Sequence, residues 1–132
     1  MIVLDTSALV DYLVGATSQA ERVREAVGDE RLAAPHAMDL ECVSVLRGLV
    51  RGGKLADTEA TRAVDVIRRM PIRRYDHVPL LSRIWQLRHN MWPYDAAYIA
   101  LAEALSVDVV TVDGKLAAVP GLQCTVRNLR SS

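Results

Sequence analysis

The sequence lacks several features, and most of these absences argue against a class of protein. It has no phenylalanine, and its two cysteines, Cys42 and Cys124, match no metal or redox spacing. We therefore expect reduced thiols in a cytoplasmic protein. No apolar run approaches the roughly 20 residues that span a bilayer, so we expect no membrane partner. The N-terminus reaches Asp5 without a basic segment, which argues against a signal peptide.

The sequence also has no net charge, with 16 basic and 16 acidic residues. This balance excludes the uniformly cationic surface of a nonspecific DNA-binding protein. The charges are unevenly distributed, because residues 1–30 carry two arginines against six acids and residues 62–88 carry seven arginines against two aspartates. All the basic residues except two lysines are arginines, which bind phosphate well. The arginine-rich middle permits a nucleic-acid partner, although a GC-rich genome produces the same enrichment.

The length of 132 residues and the hydrophobic content of 51% predict one domain over residues 1–132 with its own core. Short apolar runs predict strands at residues 2–4, 31–34, 71–75, 107–112 and 124–126. Periodic segments predict helices at residues 7–14, 18–27, 36–50, 56–70, 80–90 and 94–105. We expect Ser7 and either Asp57 or Thr58 to cap two of these helices, and Gly15 and Gly28 to end two. The alternation predicts an α/β fold with a mainly parallel central sheet flanked by helices.

Two aspartates follow predicted strands directly. Asp5 ends the first apolar run and Asp113 follows the most apolar strand of the chain. Ligands of open α/β sheets bind outside the carboxyl ends of the strands, so both residues are candidates for a functional site. Asp113 precedes Gly114, and an Asp-Gly pair is also a common turn, which is the alternative reading for this residue.

Two further acids stand in predicted helices. Asp95 lies in the first turn of the helix that Pro93 begins, a position that the helix dipole favours without any catalytic role. Glu41 is less easily explained, because it lies in an apolar helical stretch and a buried carboxylate without partners is unfavourable. A core carboxylate with satisfied hydrogen bonds is the alternative for Glu41.

Together the four acids indicate a metal site. No arginine or lysine lies within three residues of Asp5 or Asp95. Clustered carboxylates need a cation or bound protons to coexist, and oxygen ligands favour Mg²⁺ or Mn²⁺. Such ions activate water and stabilise the charge that develops when a phosphodiester is cleaved.

Four blocks of sequence carry a family resemblance: residues 3–10, which include Asp5-Thr6-Ser7; Glu41; residues 93–102, which begin Pro93-Tyr94-Asp95; and residues 110–116, which include Asp113. In order and spacing they resemble the PIN-domain ribonucleases, and among these the VapC-type toxins of bacterial type II toxin–antitoxin pairs. The resemblance implies a PIN-like α/β/α sandwich, an acidic pocket for Mg²⁺ or Mn²⁺, and endonucleolytic cleavage of RNA, for which a structured loop such as one of tRNA or rRNA is expected. It also implies a homodimer, or a hetero-oligomer with a cognate VapB-like antitoxin that blocks the pocket.

The resemblance also suggests roles for single residues. By position, Asp5, Glu41 and Asp95 match the three core acids, and Asp113 matches the fourth, more variable one. Thr6 or Ser7 would hold a metal-bound water through its hydroxyl, or would only cap a helix. Trp92 would either stack a base or shield the rim of the pocket.

Other residues have two readings each. Five arginines are candidates for contacts with an RNA backbone or, alternatively, form a solvated face: Arg68, Arg69, Arg73, Arg74 and Arg88. Tyr98 lies one helical turn after Asp95, where we expect core packing rather than substrate contact. The three histidines share no zinc spacing and are expected on the surface.

Two other functions remain open from the sequence. In an aspartate-nucleophile phosphatase, Asp5 would accept the phosphoryl group, but that chemistry expects a second acid at the position of Ser7. In a non-catalytic module, the acids would bind a structural ion or a partner's arginines.

Overall fold

The computed structural model describes residues 1–131, which form five strands and seven α-helices. The strands are β1 (Ile2–Leu4), β2 (Leu32–Pro35), β3 (Ile72–Tyr75), β4 (Asp108–Thr111) and β5 (Val126–Asn128). The helices are α1 (Thr6–Val14), α2 (Ser18–Val27), α3 (Ala37–Arg51), α4 (Asp57–Arg69), α5 (Leu81–Gln86), α6 (Pro93–Leu105) and α7 (Gly114–Ala117). A 3-10 turn at Val78–Leu80 leads into α5.

The five strands form one sheet in the order β3-β2-β1-β4-β5, and every neighbouring pair is parallel. In the centre, Val3 lies opposite Ala33 of β2 and Val109 of β4. All three residues of β1 are buried, as expected for a parallel strand covered on both faces. The chain adds β2 and β3 on one side of β1 and then returns to add β4 on the other side. Such a reversal opens a crevice at the carboxyl ends of the two central strands.

Helices cover the sheet. Helix α6 packs against β1, β2 and β4, with α5 against it, while α1 contacts α2, α3 and α4. Residues Ala96 to Ala102 of α6 are all buried, and its alanines let the helix approach the sheet closely. The result is an α/β/α sandwich, which confirms the predicted fold class. Among the helices of residues 1–131, none combines the length and hydrophobicity needed to cross a bilayer.

Two of the predicted helix caps are wrong. Asp5, not Ser7, caps α1, because β1 leads into the helix without a linker and the Asp5 carboxylate accepts the Ala8 N–H. Neither Asp57 nor Thr58 caps α4, whose N-cap position is Ala56, without a side-chain hydrogen bond. Asp57 lies in the first turn instead, where its negative charge interacts favourably with the helix dipole. Gly15 and Gly28 end α1 and α2 as predicted.

Two predicted elements have boundaries that differ from the structure by more than one residue. The helix expected at residues 80–90 is divided into the 3-10 turn and the six residues of α5. The last strand begins at Val126 rather than at residue 124, because its pairing places Val126 opposite Val109 of β4. Both cysteines are free thiols; Cys42 is buried and Cys124 is partly buried against the core.

Candidate active site

Among residues 1–131, Asp5 and Thr111 are the two buried polar residues, and Asp5, 7% exposed, follows β1 at its carboxyl end. Its Oδ1 accepts hydrogen bonds from the Ala8 N–H (2.9 Å) and the Ser7 hydroxyl (2.7 Å). Its Oδ2 accepts a hydrogen bond from the Thr111 hydroxyl at 2.5 Å. Burial raises the pKa of Asp5 above its ordinary value despite these bonds, and the charge of Asp113 adds to the increase. The fold therefore holds this carboxylate rigidly in a place where its negative charge is poorly solvated.

Asp113 follows β4, the strand next to β1, so the two aspartates extend from neighbouring strand ends. Asp113 caps α7 by accepting the Lys115 N–H at 3.0 Å. Its own N–H donates to the Thr111 hydroxyl at 2.9 Å, and that hydroxyl donates to Asp5. One threonine thus connects the two acids. Asp113 is therefore a helix cap at the Asp-Gly turn, and its part in a functional site stays a prediction.

Asp95 lies in the first turn of α6 and is partly buried. Burial raises the pKa of Asp95, and the negative charge of Asp113 raises it further. Asp113 therefore lies close enough to act electrostatically on both Asp5 and Asp95. The three carboxylates form one acidic group at the carboxyl ends of the central strands.

Glu41 enters this edge of the sheet from α3, which follows β2. Its Oε1 accepts a hydrogen bond from the Tyr98 hydroxyl at 2.7 Å. The Thr6 hydroxyl lies 2.6 Å from the Tyr98 oxygen and 3.4 Å from Glu41 Oε1. A tyrosine hydroxyl has one proton to donate, so Thr6 is the donor to Tyr98 when Tyr98 donates to Glu41. Because Thr6 follows Asp5 directly, these contacts place Glu41 at the same end of β1 as Asp5.

The two hydroxyls after Asp5 play different parts. Ser7 donates to Asp5 and accepts the Val112 N–H at 3.2 Å, so it joins α1 to the end of β4. Thr6 instead contacts Tyr98 and Glu41. Both hydroxyls orient carboxylates of the acidic group.

The five candidate arginines do not lie together. Arg68 and Arg69 end α4, just before β3 starts, and both bind Asp65. The acids lie where the strands end, so the topology separates this arginine pair from them. Arg73 lies on the edge strand β3, with its guanidinium 5.2 Å from the centre of the Tyr75 ring. Arg88 follows α5, close to the start of α6 that carries Asp95.

The prediction for Arg74 needs correction. Its guanidinium forms a bidentate ion pair with Asp39, at 2.7 and 2.8 Å. It also donates to the carbonyl oxygens of Ile72 and Ile67. With its side chain 21% exposed, Arg74 connects β3, α3 and α4, and its guanidinium makes four hydrogen bonds within the protein, which favours a structural role over the predicted contact with RNA.

Three residues of this edge were not recognised as site residues from the sequence. Thr111 was visible as the polar end of an apolar strand, and Tyr98 was expected only to pack in the core, where its ring is indeed buried. Burial raises the pKa of Tyr98 far above its usual value, so its hydroxyl stays protonated. Arg130 lies beside the Asp113-Gly114 turn, since a Cβ added to Gly114 would meet its guanidinium at 3.5 Å. No motif in the sequence indicated Arg130.

The donor set fits a hydrated Mg²⁺ or Mn²⁺ ion. Among the side chains of residues 1–131, none of the four acids takes part in an ion pair. In the same part of the chain, no three acidic, histidine or cysteine side chains are close enough to enclose an ion. Mg²⁺ keeps several waters and takes one or two carboxylates, whereas structural Zn²⁺ needs a closed set of ligands. The three histidines are exposed, as predicted.

Comparison with known proteins agrees with this architecture. A family model described as "PIN domain" matches residues 2–122. Ribonuclease VapC1 of Mycobacterium tuberculosis is 40% identical over 129 residues, which are 97% of this chain and 97% of the relative.

Solved structures share the fold at low sequence identity. The crystal structure of Mycobacterium tuberculosis VapC20, described as a sarcin-ricin loop cleaving toxin, has a TM-score of 0.69 at 15% identity and covers 93% of this chain and 98% of that chain. A toxin–antitoxin complex from Klebsiella pneumoniae has a TM-score of 0.65 at 18% identity over 98% of each chain. Because the family model spans most of the sequence and the identity to VapC1 extends over nearly its full length, the chain belongs to the PIN-domain family and, within it, to the VapC group.

Proposed function

We propose that the protein is a Mg²⁺- or Mn²⁺-dependent endoribonuclease that acts as the toxin of a bacterial toxin–antitoxin pair, working as a single PIN domain over residues 1–132. The observation that carries this proposal is the group of four acids at one edge of the sheet. Asp5 and Asp95 both have raised pKa values, mainly because of burial. A site that concentrates poorly solvated negative charge favours a divalent cation, which removes the repulsion.

In this proposal, Asp5, Glu41, Asp95 and Asp113 hold the metal directly or through its waters. When bound, the ion would activate water and stabilise the charge that develops on the phosphodiester. Ser7 and Thr111 keep both oxygens of Asp5 in place. Tyr98, whose hydroxyl also contacts Thr6, holds one oxygen of Glu41, Oε1, and so restrains this long side chain. Orientation by neighbours of this kind typically changes metal affinity or activity about 10- to 100-fold.

The names of similar proteins support an RNA substrate and an antitoxin partner. VapC1 is named a ribonuclease, and the Klebsiella pneumoniae structure is a toxin–antitoxin complex. We extend both properties to this chain and propose a structured RNA loop as substrate and a VapB-like antitoxin whose cationic side chains enter the acidic pocket. A homodimer, alone or within a toxin–antitoxin hetero-oligomer, is part of the same proposal. Of the candidate arginines, Arg88 is the one we place near the RNA backbone at this edge.

A cleavage assay tests the proposed function. The purified chain, incubated with structured RNA, is expected to cleave it in Mg²⁺ or Mn²⁺ and not in EDTA. Asp5→Asn and Asp95→Asn should each abolish cleavage, because each removes one negative charge from the acidic group. Asp29→Asn is the matched control, since it changes an exposed aspartate in the turn after α2 and should cleave normally.

Two outcomes would contradict the proposal. Undiminished cleavage by Asp5→Asn or Asp95→Asn would show that the acids are not the catalytic group. Binding of Mn²⁺ by calorimetry without cleavage of any RNA would favour a non-catalytic metal-binding module instead.

A further inference from the structure

An exposed aromatic surface lies at the start of α6, the helix whose first turn carries Asp95. A cavity of about 800 Å³ opens between α5 and the start of α6, and its lining includes Leu81, Trp85, Arg88, Met91 and Trp92. We call the surface formed by Trp85, Arg88 and Trp92 the tryptophan face. Trp85 and Trp92 are the two tryptophans of the chain. Their exposures are 66% and 76%, so neither ring serves the core.

The position of Arg88 in the tryptophan face indicates which kind of ligand the face binds. The Arg88 guanidinium lies over the Trp85 ring, 4.3 Å from its centre, and donates to the Trp85 carbonyl oxygen at 2.9 Å. It is therefore held over a ring while remaining exposed to solvent. A flat cation beside exposed aromatic rings complements a planar base attached to a negatively charged phosphate.

The position of the tryptophan face in the fold indicates where a ligand bound to it would lie. Trp92 is the N-cap residue of α6, and Asp95 lies in the first turn of the same helix. A nucleotide stacked on Trp92 would thus lie at the helix start that carries Asp95. The cavity volume is also in the range of sites that take small planar ligands.

We propose that the tryptophan face is a stacking site for an unpaired nucleobase next to the cleaved phosphodiester. The inference rests on the proposed ribonuclease function and adds to it the part of the surface that selects single-stranded over paired RNA. Stacking needs a base that is free of its partner strand, which is how proteins usually recognise RNA loops. Arg88 contributes by stacking and by its charge toward the adjoining phosphate.

Tryptophan fluorescence reports on this site directly, because both fluorophores belong to it. The full chain in EDTA, where the proposed nuclease is inactive, is titrated at low salt with a single-stranded RNA oligonucleotide. A second oligonucleotide has the same backbone and length but is abasic. We expect quenching by the first oligonucleotide and little change with the second.

Variants measure the contribution of each ring. Trp92→Ala and Trp85→Ala should each weaken binding of the single-stranded oligonucleotide about 10-fold or more, consistent with ~1–3 kcal/mol per stacked base. A hairpin with a fully paired stem and a minimal loop should bind the variants and the wild type alike. Val64→Ala, which shortens an exposed apolar side chain on α4, is the control and should bind as the wild type does. Thermal unfolding checks that every variant is folded.

The outcomes separate this inference from the proposed function. Equal binding of the abasic and base-bearing oligonucleotides, or unchanged affinity in both tryptophan variants, would overturn the stacking site even if Mg²⁺-dependent cleavage is normal. Conversely, lack of cleavage with intact base-dependent quenching would refute the nuclease and leave the stacking site standing. If the tryptophan variants convert a dimer to a monomer in sedimentation without changing RNA affinity, the face is an interface between copies of the chain, and the stacking site is wrong.

Discussion

At the scale of single residues, the acidic edge combines groups that are unfavourable for folding with groups that restrain them. Asp5 is nearly inaccessible to solvent, yet three hydrogen-bond donors hold its carboxylate. The pKa of Asp5 is raised because burial outweighs those bonds. A carboxyl whose pKa is higher in the folded state than in the unfolded state stabilises the fold only while it is protonated. At neutral pH, therefore, Asp5 lowers the free energy of unfolding of the metal-free protein.

Asp5→Asn is accordingly expected to raise the melting temperature of the metal-free protein at pH 7 by a few degrees, because the neutral amide avoids the cost of the buried charge. In wild type, the stability contributed by Asp5 is present at low pH and is lost as pH rises through its raised folded pKa. The stability difference between Asp5→Asn and wild type should therefore shrink as pH is lowered from 7 toward 4. Thermal unfolding in EDTA between pH 7 and pH 4 measures this stability difference, with Asp29→Asn as the control. A marked drop in melting temperature at pH 7 for Asp5→Asn would show that the hydrogen bonds dominate.

Tyr98 gives a second residue-scale prediction. Tyr98→Phe retains the buried ring but removes the hydroxyl that donates to Glu41 and contacts Thr6. Tyr98 acts as a positioning residue, so we expect kcat for RNA cleavage to fall about 10-fold, with KM little changed. Calorimetry should also show weaker Mn²⁺ binding.

The matched control for Tyr98→Phe is Tyr12→Phe, which removes the hydroxyl of a partly buried tyrosine on α1. This control should leave kcat and Mn²⁺ affinity unchanged. If Tyr98→Phe also leaves both unchanged while lowering only the melting temperature, Tyr98 has a packing role alone.

At the scale of elements, the sequence predicted where in the fold the acids lie, but it did not predict which residues hold them in place. Asp5 and Asp113 could be placed because both follow apolar runs, and the ends of parallel strands share one edge. The supports join distant parts of the chain: Tyr98 reaches Glu41 across 57 positions and Arg74 reaches Asp39 across 35. No local spacing encodes such pairs. The caps of α1 and α4 were missed for a related reason, since a cap depends on backbone conformation as well as on residue type.

The Arg74 ion pair gives the prediction for this scale. Arg74→Gln leaves Asp39 without its bidentate partner and removes donors from two backbone carbonyls. We expect the free energy of unfolding to fall by about 2 kcal/mol. Urea unfolding measures the change, and Arg68→Gln, at an exposed ion pair on α4, should remain within about 0.5 kcal/mol of wild type.

Contacts of Arg74 with RNA would produce a different result. In that case Arg74→Gln would weaken binding of RNA by the folded protein, and its stability would resemble that of Arg68→Gln. Both quantities should therefore be measured on the same preparations, well below the denaturation midpoint.

At the scale of the whole molecule, the net charge of zero describes the chain without metal. The four acids supply negative charge at the edge where we propose that RNA binds. Each divalent ion held there would add two positive charges to the protein. The affinity for polyanions is therefore expected to depend on metal as well as on salt.

A binding experiment tests this dependence. Mg²⁺ normally weakens protein–RNA binding because it competes for the phosphates. For this protein we expect the opposite: millimolar Mg²⁺ should tighten binding of a fully 2′-O-methylated RNA at constant ionic strength, by several-fold in anisotropy titrations. For Asp5→Asn, Mg²⁺ should no longer tighten RNA binding and should only weaken it. Equal weakening of wild type and variant would indicate that no ion joins the acids to the RNA.

The chain order of the central strands has a consequence for synthesis of the protein. β1 leaves the ribosome first, but one of its two neighbours in the sheet is β4, which begins at Asp108. The hydroxyl of Thr111 that holds Asp5 is 106 positions further along the chain. A nascent or prematurely released chain that ends before β4 thus lacks both Asp113 and this restraint on Asp5. The producing cell would then meet the proposed nuclease only after β4 has been synthesised, which leaves time for an antitoxin to be present when the site first assembles.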